Sequence, residues 1–258
     1  MDVLRFEVFG PLRVWNMGAE EVIAGRRERT LLAALLLTPD EPVEVERLVV
    51  LIWPANQPRD VSHALRTHVM RLRHHLGRDV IRTTARSYSI GVSAETVDAH
   101  RFQAFATAGT AHTWARDVDA AEAALAAALD VWRHGEPWID LAGTGAGDAE
   151  RAALREERCG VEERLAAIRL RRREAPLEVI ERLAIESPLR ELRWLLLMHA
   201  LFVAGQQSRA LRSYATLRNQ LCSELGLEPD PRLQHMEHRI LEHDPSLFEL
   251  DPLELVLN

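Results

Sequence analysis

The stretch that decides the fold is Asp60-Val61-Ser62-His63-Ala64-Leu65-Arg66-Thr67-His68-Val69-Met70-Arg71-Leu72-Arg73-His74-His75-Leu76-Gly77. Val61, Leu65, Val69, Leu72 and Leu76 recur at the spacing of a helix with one buried stripe. Ser62, Arg66, Thr67, Met70, Arg73 and His74 lie mainly away from that stripe. Asp60 is placed to cap the helix start, and Gly77 follows the last apolar residue as a stop signal. Residues 59–90 carry seven Arg against two Asp, a local excess of +5 in a chain of formal net charge −7. Guanidinium groups on one helix face suit phosphate contacts and bidentate contact to guanine. The plainer alternative is a solvated helix that happens to be Arg-rich.

Working outward, 258 residues leave room for two domains with their own cores. A hydrophobic content of 47% with 28% charged residues describes a globular protein. The longest apolar run, Trp194 to Ala204, is interrupted by His199 and falls short of a membrane span. The start has no basic segment followed by an apolar one, so no signal peptide and no membrane association are expected. Cys159 and Cys222 match no paired-ligand spacing and read as free buried thiols in a reducing compartment, with the cytoplasm as default. Every basic residue other than His is Arg and none is Lys, so Arg abundance alone is weak evidence of nucleic-acid binding.

On the N-terminal side, Leu4 to Phe9 alternates like a half-buried strand, Gly10-Pro11 is a turn, and Leu12 to Trp15 resumes the alternation. A third short strand is expected near Val22-Ile23. Leu31 to Leu37 reads as a helix stopped before Pro39, and Glu41 to Trp53 as a second helix. The loop Pro54, Ala55, Asn56, Gln57, Pro58, Arg59 leads into the 60–77 helix. Val80 to Thr84 and Tyr88 to Val92 read as a hairpin around Ala85-Arg86-Ser87. The order is sheet, three helices, hairpin.

That order resembles the OmpR/PhoB-type winged helix. Gly10-Pro11-Leu12-Arg13-Val14, the run Arg27 to Leu37, Leu51-Ile52-Trp53 and the run Ala64 to Arg73 resemble the Streptomyces antibiotic regulatory protein (SARP) family of transcriptional activators. The resemblance implies that the third helix enters the DNA major groove and that the wing touches the neighbouring minor groove or backbone. The loop before the third helix would face RNA polymerase. Carried over by position, Ser62, His63, Arg66, Thr67, His68, Arg71 and Arg73 become DNA contacts, as do Arg82, Thr83 and Arg86 of the wing. Pro54, Ala55, Asn56, Gln57, Pro58 and Arg59 become the polymerase-facing loop. Where the family's wing usually ends Gly-Tyr, this chain has Ser87-Tyr88, which implies a shorter wing turn. The alternative for Arg71 and Arg73 is pairing with Glu44 or Glu46, and Thr83 is also a plain β-former.

Composition shifts after Val97: residues 1–97 carry net charge +1 and 98–258 net −8, which argues against a second DNA-binding surface. Helices are expected from Asp98, over Asp117 to Arg133, then over 149–174, 176–185, 188–204, 208–225 and 231–243. A glycine-rich loop at 142–147 interrupts the series. Trp194, Leu197, Gly205, Ala210 and Tyr214 fall close to the tetratricopeptide pattern. This half resembles the bacterial transcriptional activator domain of SARP proteins through Val97 to Phe102, Ala126 to Arg133, Ser187 to Glu191, Glu224 to Pro231 and Ile240 to Pro245. The domains expected are 1–97, 98–247 and a mobile tail, 248–258.

Other constellations carry less. Gly143-Thr144-Gly145-Ala146-Gly147 lacks the strand and acidic residue of a dinucleotide loop. His235, His238 and Glu242 read as an exposed polar face before a metal site. No phosphate-binding Gly-Lys motif or nucleophile setting appears, so no enzyme activity, cofactor or metal is expected. The fold class expected is mainly α: an N-terminal winged helix-turn-helix with a small β-sheet and wing hairpin, then an all-α tetratricopeptide-like domain. The resemblance implies an activator that binds promoter direct repeats in double-stranded DNA as two copies side by side. It would recruit RNA polymerase holoenzyme, through its sigma factor and alpha subunit, to genes of secondary metabolism such as antibiotic biosynthesis. The rival reading is an interaction adaptor whose helical array holds a protein or small ligand and whose winged helix docks protein.

Overall fold

The structure, a computed structural model, describes residues 4–132 and 135–257. The chain forms two compact units, Met1–Thr107 with Ala126–Arg158, and Ala108–Leu125 with Cys159–Asn258. The first opens with an antiparallel meander of β1 (Arg5–Glu7), β2 (Arg13–Asn16) and β3 (Ala19–Glu21). Phe6 and Val14 face each other across the first pair and are fully buried, while Arg5 and Arg13 point to solvent, as strand alternation requires. The third strand lies earlier than Val22-Ile23. Met17 and Gly18 both have positive φ, 52° and 84°, which makes a tight two-residue turn that pairs Asn16 with Ala19.

Helix α1 (Arg26–Leu36) is buried continuously from Thr30 to Leu36 and forms the centre of this unit, against α2 (Val45–Ile52) and α3 (Val61–Leu76). It starts five residues before Leu31 because its first turn is polar and invisible to an apolar pattern. The second helix is shorter than expected, since Val43–Glu44 is taken by strand β4. That strand pairs with β6 (Ser87–Ile90), which pairs with β5 (Ile81–Thr83), so the wing is a three-stranded sheet in the order β4-β6-β5.

The sequence boundary after Val97 falls inside this first unit. Val97 bridges Phe6, and the carboxylate of Asp98, at the start of α4 (Asp98–Trp114), accepts hydrogen bonds from the Val8 and Ala99 N–H groups at 2.8 Å. Phe102 and Trp132 pack edge to face at 5.0 Å, and Trp138 donates its backbone N–H to Val8. The turn Ile139–Leu141 presents Asp140, which accepts from the Leu12 N–H and from Arg29 Nε, each at 2.8 Å. Helix α5 spans Val118–Val131, and its expected end at Arg133 lies outside the described residues. Helix α6 (Gly145–Arg171) begins within the glycine run itself.

In the second unit α7 (Leu177–Glu186), α9 (Gln207–Leu225), α10 (Pro231–Leu241) and α11 (Pro252–Leu257) all pack on or beside α8 (Glu191–Val203). Every residue of α8 from Arg193 to Phe202 is buried, which is the pattern of a helix surrounded by others. Ala210, Trp194 and Tyr214 are all buried in the α8–α9 hairpin, and Gly205 turns between the two helices with φ +73°. Arg193 is buried with Glu163, whose carboxylate it reaches through Nε at 3.2 Å, and donates to Glu162 at 2.6 Å. The last residues, expected as a tail, carry helix α11 with Leu253 buried. Of the two cysteines expected to be buried, Cys159 is half-buried and Cys222 is exposed. Among the described residues no helix is long and apolar enough to cross a membrane.

Candidate nucleic-acid interface

Helix α3 is delimited as its sequence predicts. Asp60 accepts the His63 N–H at 2.8 Å, and Gly77, with φ +103°, donates its N–H to the Arg73 carbonyl. Leu65, Val69, Leu72 and Leu76 are buried. Ser62, His63, Arg66, Met70, Arg71 and His74 are exposed, with Thr67 half-buried. His63, Arg66, Thr67, Met70 and His74 follow at three- and four-residue steps and form one stripe. The Thr67 hydroxyl donates to the His63 carbonyl, so the side chain offers outward its methyl and an acceptor. Arg59, Arg66 and Arg78 have no carboxylate partner among the described residues.

Two of the expected DNA contacts are placed otherwise. His68 is 9% exposed, and its Nδ1 lies 3.0 Å from Oε1 of Glu28 on α1, so it buttresses the helix from behind. Beside a carboxylate that nitrogen carries the proton. Arg73 gives Nε and Nη2 to the Ile81 carbonyl at 3.0 and 2.6 Å and Nη2 to the Thr83 hydroxyl at 2.7 Å. It therefore ties α3 to the wing strand. Neither Arg71 nor Arg73 takes Glu44 or Glu46. Arg71 Nη1 donates to Glu28 at 2.8 Å, and Arg86 reaches Glu46 at 3.5 Å.

Glu28 is the residue that the sequence reading passed over. Burial alone would raise its carboxyl pKa, but hydrogen bonds from Arg71 and His68 hold it down at about 2, so it is a fixed negative charge. The Arg71 side chain keeps more than half of its surface in solvent beyond that anchor.

In the wing, the Thr84 N–H donates to the Ser87 carbonyl, and the Thr84 and Ser87 hydroxyls meet at 2.6 Å. Ser87 thus closes a short turn. Arg82, Thr83 and Arg86 are exposed on it, with Arg82 Nη1 3.1 Å from Asp40. That pair is solvent-exposed on both sides and weak enough to yield to a stronger anion. Pro54, Ala55, Asn56, Gln57 and Arg59 of the preceding loop are exposed and Pro58 is half-buried.

Residues 97–241 match the bacterial transcriptional activator domain, and residues 19–89 match the transcriptional regulatory protein C-terminal domain. The regulatory protein DnrI of Streptomyces peucetius is 32% identical over 96% of both chains. The chain belongs to the SARP family of DNA-binding transcriptional activators. Regulatory protein AfsR of Streptomyces coelicolor is 35% identical over 96% of this chain, which spans 25% of that longer relative. Among solved structures, Mycobacterium tuberculosis EmbR in complex with a low-affinity phosphopeptide superposes with a TM-score of 0.91 at 28% identity, over 99% of this chain and 68% of EmbR. The exposed stripe on α3 and the Arg-bearing wing are the candidate surface for this family's DNA binding.

Proposed function

We propose that this protein activates transcription by binding direct repeats in promoter DNA as two copies side by side and recruiting RNA polymerase holoenzyme to a secondary-metabolite gene cluster. The setting is the cytoplasm, at the nucleoid. The observation that carries the reading is the α3 stripe of His63, Arg66, Thr67, Met70 and His74, with Arg71 held at its side by Glu28. Ser62, His63, Arg66, Thr67 and Arg71 face the groove or its phosphates, and Arg82, Thr83 and Arg86 face the backbone beside it. Phosphate contacts supply affinity and register, and a few base contacts supply sequence preference. No bond is made or broken.

The polymerase-facing loop is assigned to Pro54 through Arg59. In support, Trp53, Pro54, Ala55 and Asn56 border a cavity of about 360 Å³ that Arg26 and Arg27 also line. Neither arginine has a carboxylate partner among the described residues, which suits an acidic surface on the sigma factor or alpha subunit.

The test is a gel shift on the gene's own upstream region at two salt concentrations, with the Arg66→Ala/Arg71→Ala variant alongside. A selective, salt-sensitive shift lost in the variant supports the reading. Each phosphate contact contributes about 0.9 to the slope of log affinity against log salt, so Arg82→Ala lowers that slope by roughly one. A flat salt response, or an unchanged shift in the double variant, contradicts it.

A further inference from the structure

We propose that Met70 reads a thymine by packing its thioether side chain against the 5-methyl group in the major groove. The inference rests on the DNA-binding reading above and adds to it a residue and a base. Met70 is 65% exposed, on the outer face of a helix whose inner face is closed by Leu65, Val69, Leu72 and Leu76. Most of its surface stands in solvent, outside the buried core of the unit. It sits one turn beyond Arg66 and one turn before His74, near the middle of a stripe that is otherwise polar.

From His63 to His74 the stripe runs roughly 16 Å at helical rise, about five base steps, so the centre of the helix lies over base edges when its ends flank the groove. A methionine has no donor for a phosphate and only a feeble acceptor for a base amino group. Among major-groove edges the single apolar feature is the thymine methyl. The long unbranched thioether adapts to that methyl without a fixed rotamer, a use to which methionine is suited. Arg66, with no carboxylate partner among the described residues, is free to take a guanine one turn away, so a thymine beside a guanine is the pattern this helix face would select.

The experiment starts from the full chain and a pool of randomised duplexes. The enriched site is then synthesised with deoxyuridine in place of each thymine in turn, which removes the methyl and keeps every hydrogen-bonding group. One position should lose about fourfold in affinity, the burial of a single methyl. That loss should vanish in Met70→Ala and persist in Met70→Leu, which keeps an apolar tip. If no thymine is sensitive, or if the sensitive position loses the same factor in Met70→Ala, Met70 does not read it and the proposal is overturned. If no sequence is enriched at all, the DNA-reading function itself fails, a result distinct from an enriched site indifferent to uracil.

Discussion

Arg71 of α3 donates to Glu28 of α1 at 2.8 Å, on the same Oε1 that lies 3.0 Å from Nδ1 of His68. A carboxylate as buried as Glu28 is tolerable only with such partners, because an ionised group out of water and unpaired costs several kcal/mol. The same arrangement fixes the root of a guanidinium that otherwise stands in solvent, so it has less rotamer freedom left to lose in any further contact. The His68 ring lies 5.8 Å from that of Trp53, the residue just before the loop Pro54 to Arg59. One carboxylate thus links α1, α3 and the root of that loop.

The first prediction concerns acid. The Glu28 carboxyl is lowered in the fold from 4.5 to about 2, so its stabilisation is complete above pH 4.5 and is lost as pH falls toward 2. The full shift is worth on the order of 3 kcal/mol. The thermal midpoint of the native protein should therefore fall more steeply below pH 4.5 than that of Glu28→Gln. A Cβ added at Gly25 would lie 1.8 Å from Glu28 Oε2, so Gly25→Ala has to push the carboxylate off its partners. It should destabilise by about 1–2 kcal/mol alone and by much less in a Glu28→Ala background. Equal effects in the two backgrounds would show that the carboxylate is not what Gly25 makes room for.

Arg73 joins α3 to β5 through a fork that only a guanidinium supplies, with two N–H groups on the Ile81 carbonyl and one shared with Thr83. Arg73→Ala should lower stability by about 1–2 kcal/mol and raise hydrogen exchange in the wing, peptides 80–91 above all. Arg73→Lys should recover little of either. A lysine variant with native exchange in the wing would mean that charge alone suffices.

The two units are predicted to respond to pH in opposite directions. Burial pushes the Asp98 carboxyl up to about 6 from 3.8, against the N–H groups of Val8, Phe9 and Ala99 that favour its ionised form. Folded protein then binds this proton more tightly than unfolded protein, so the contribution is present below pH 3.8 and is lost as pH rises through about 6. Burial lowers His199 from its ordinary 6.5, against the hydrogen bond that Nε2 donates to the Leu247 carbonyl, which favours the charged form. Its contribution is present above pH 6.5 and is lost as pH falls below it. Hydrogen exchange between about pH 5 and 7, corrected for intrinsic rates, should show β1 loosening and α8 tightening with rising pH. Asp98→Asn should flatten the first trend and His199→Gln the second.

What the sequence discloses follows the range of the interactions. The ends of α3 are legible because Asp60 and Gly77 act on backbone three and four residues away. Strand β4 is illegible because two residues are strand only through their pairing with Ser87 and Tyr88. The role of Glu28 is hidden for the same reason, since within Arg26-Arg27-Glu28-Arg29 it reads as one solvated charge among several and its partners lie 40 and 43 residues on. His68 illustrates a limit of helical periodicity: it borders the apolar stripe, and only the presence of Glu28 behind it decides that it faces inward. The change of composition at Val97 is real, yet Val97 and Asp98 are hydrogen-bonded to the opening sheet and belong with it.

The closing segment tests how much of the second unit lies beyond the tetratricopeptide-like hairpin. Leu253 of α11 is 1% exposed and the helix packs on α8, while Asp251 takes Arg171 at 3.1 Å and Glu254 takes Arg116. Apolar burial and exposed ion pairs differ in worth, so Leu253→Ala should destabilise by about 2–4 kcal/mol, whereas Glu254→Ala, at an exposed pair, should change stability by less than about 1 kcal/mol. Urea unfolding of the two variants separates these contributions. A chain ended after Glu249 should behave like Leu253→Ala or worse, because both uncover the same face of α8. If Leu253→Ala and the shortened chain both unfold at the native midpoint, α11 rests on the unit without stabilising it, and α8 must be covered well enough by α7, α9 and α10 alone.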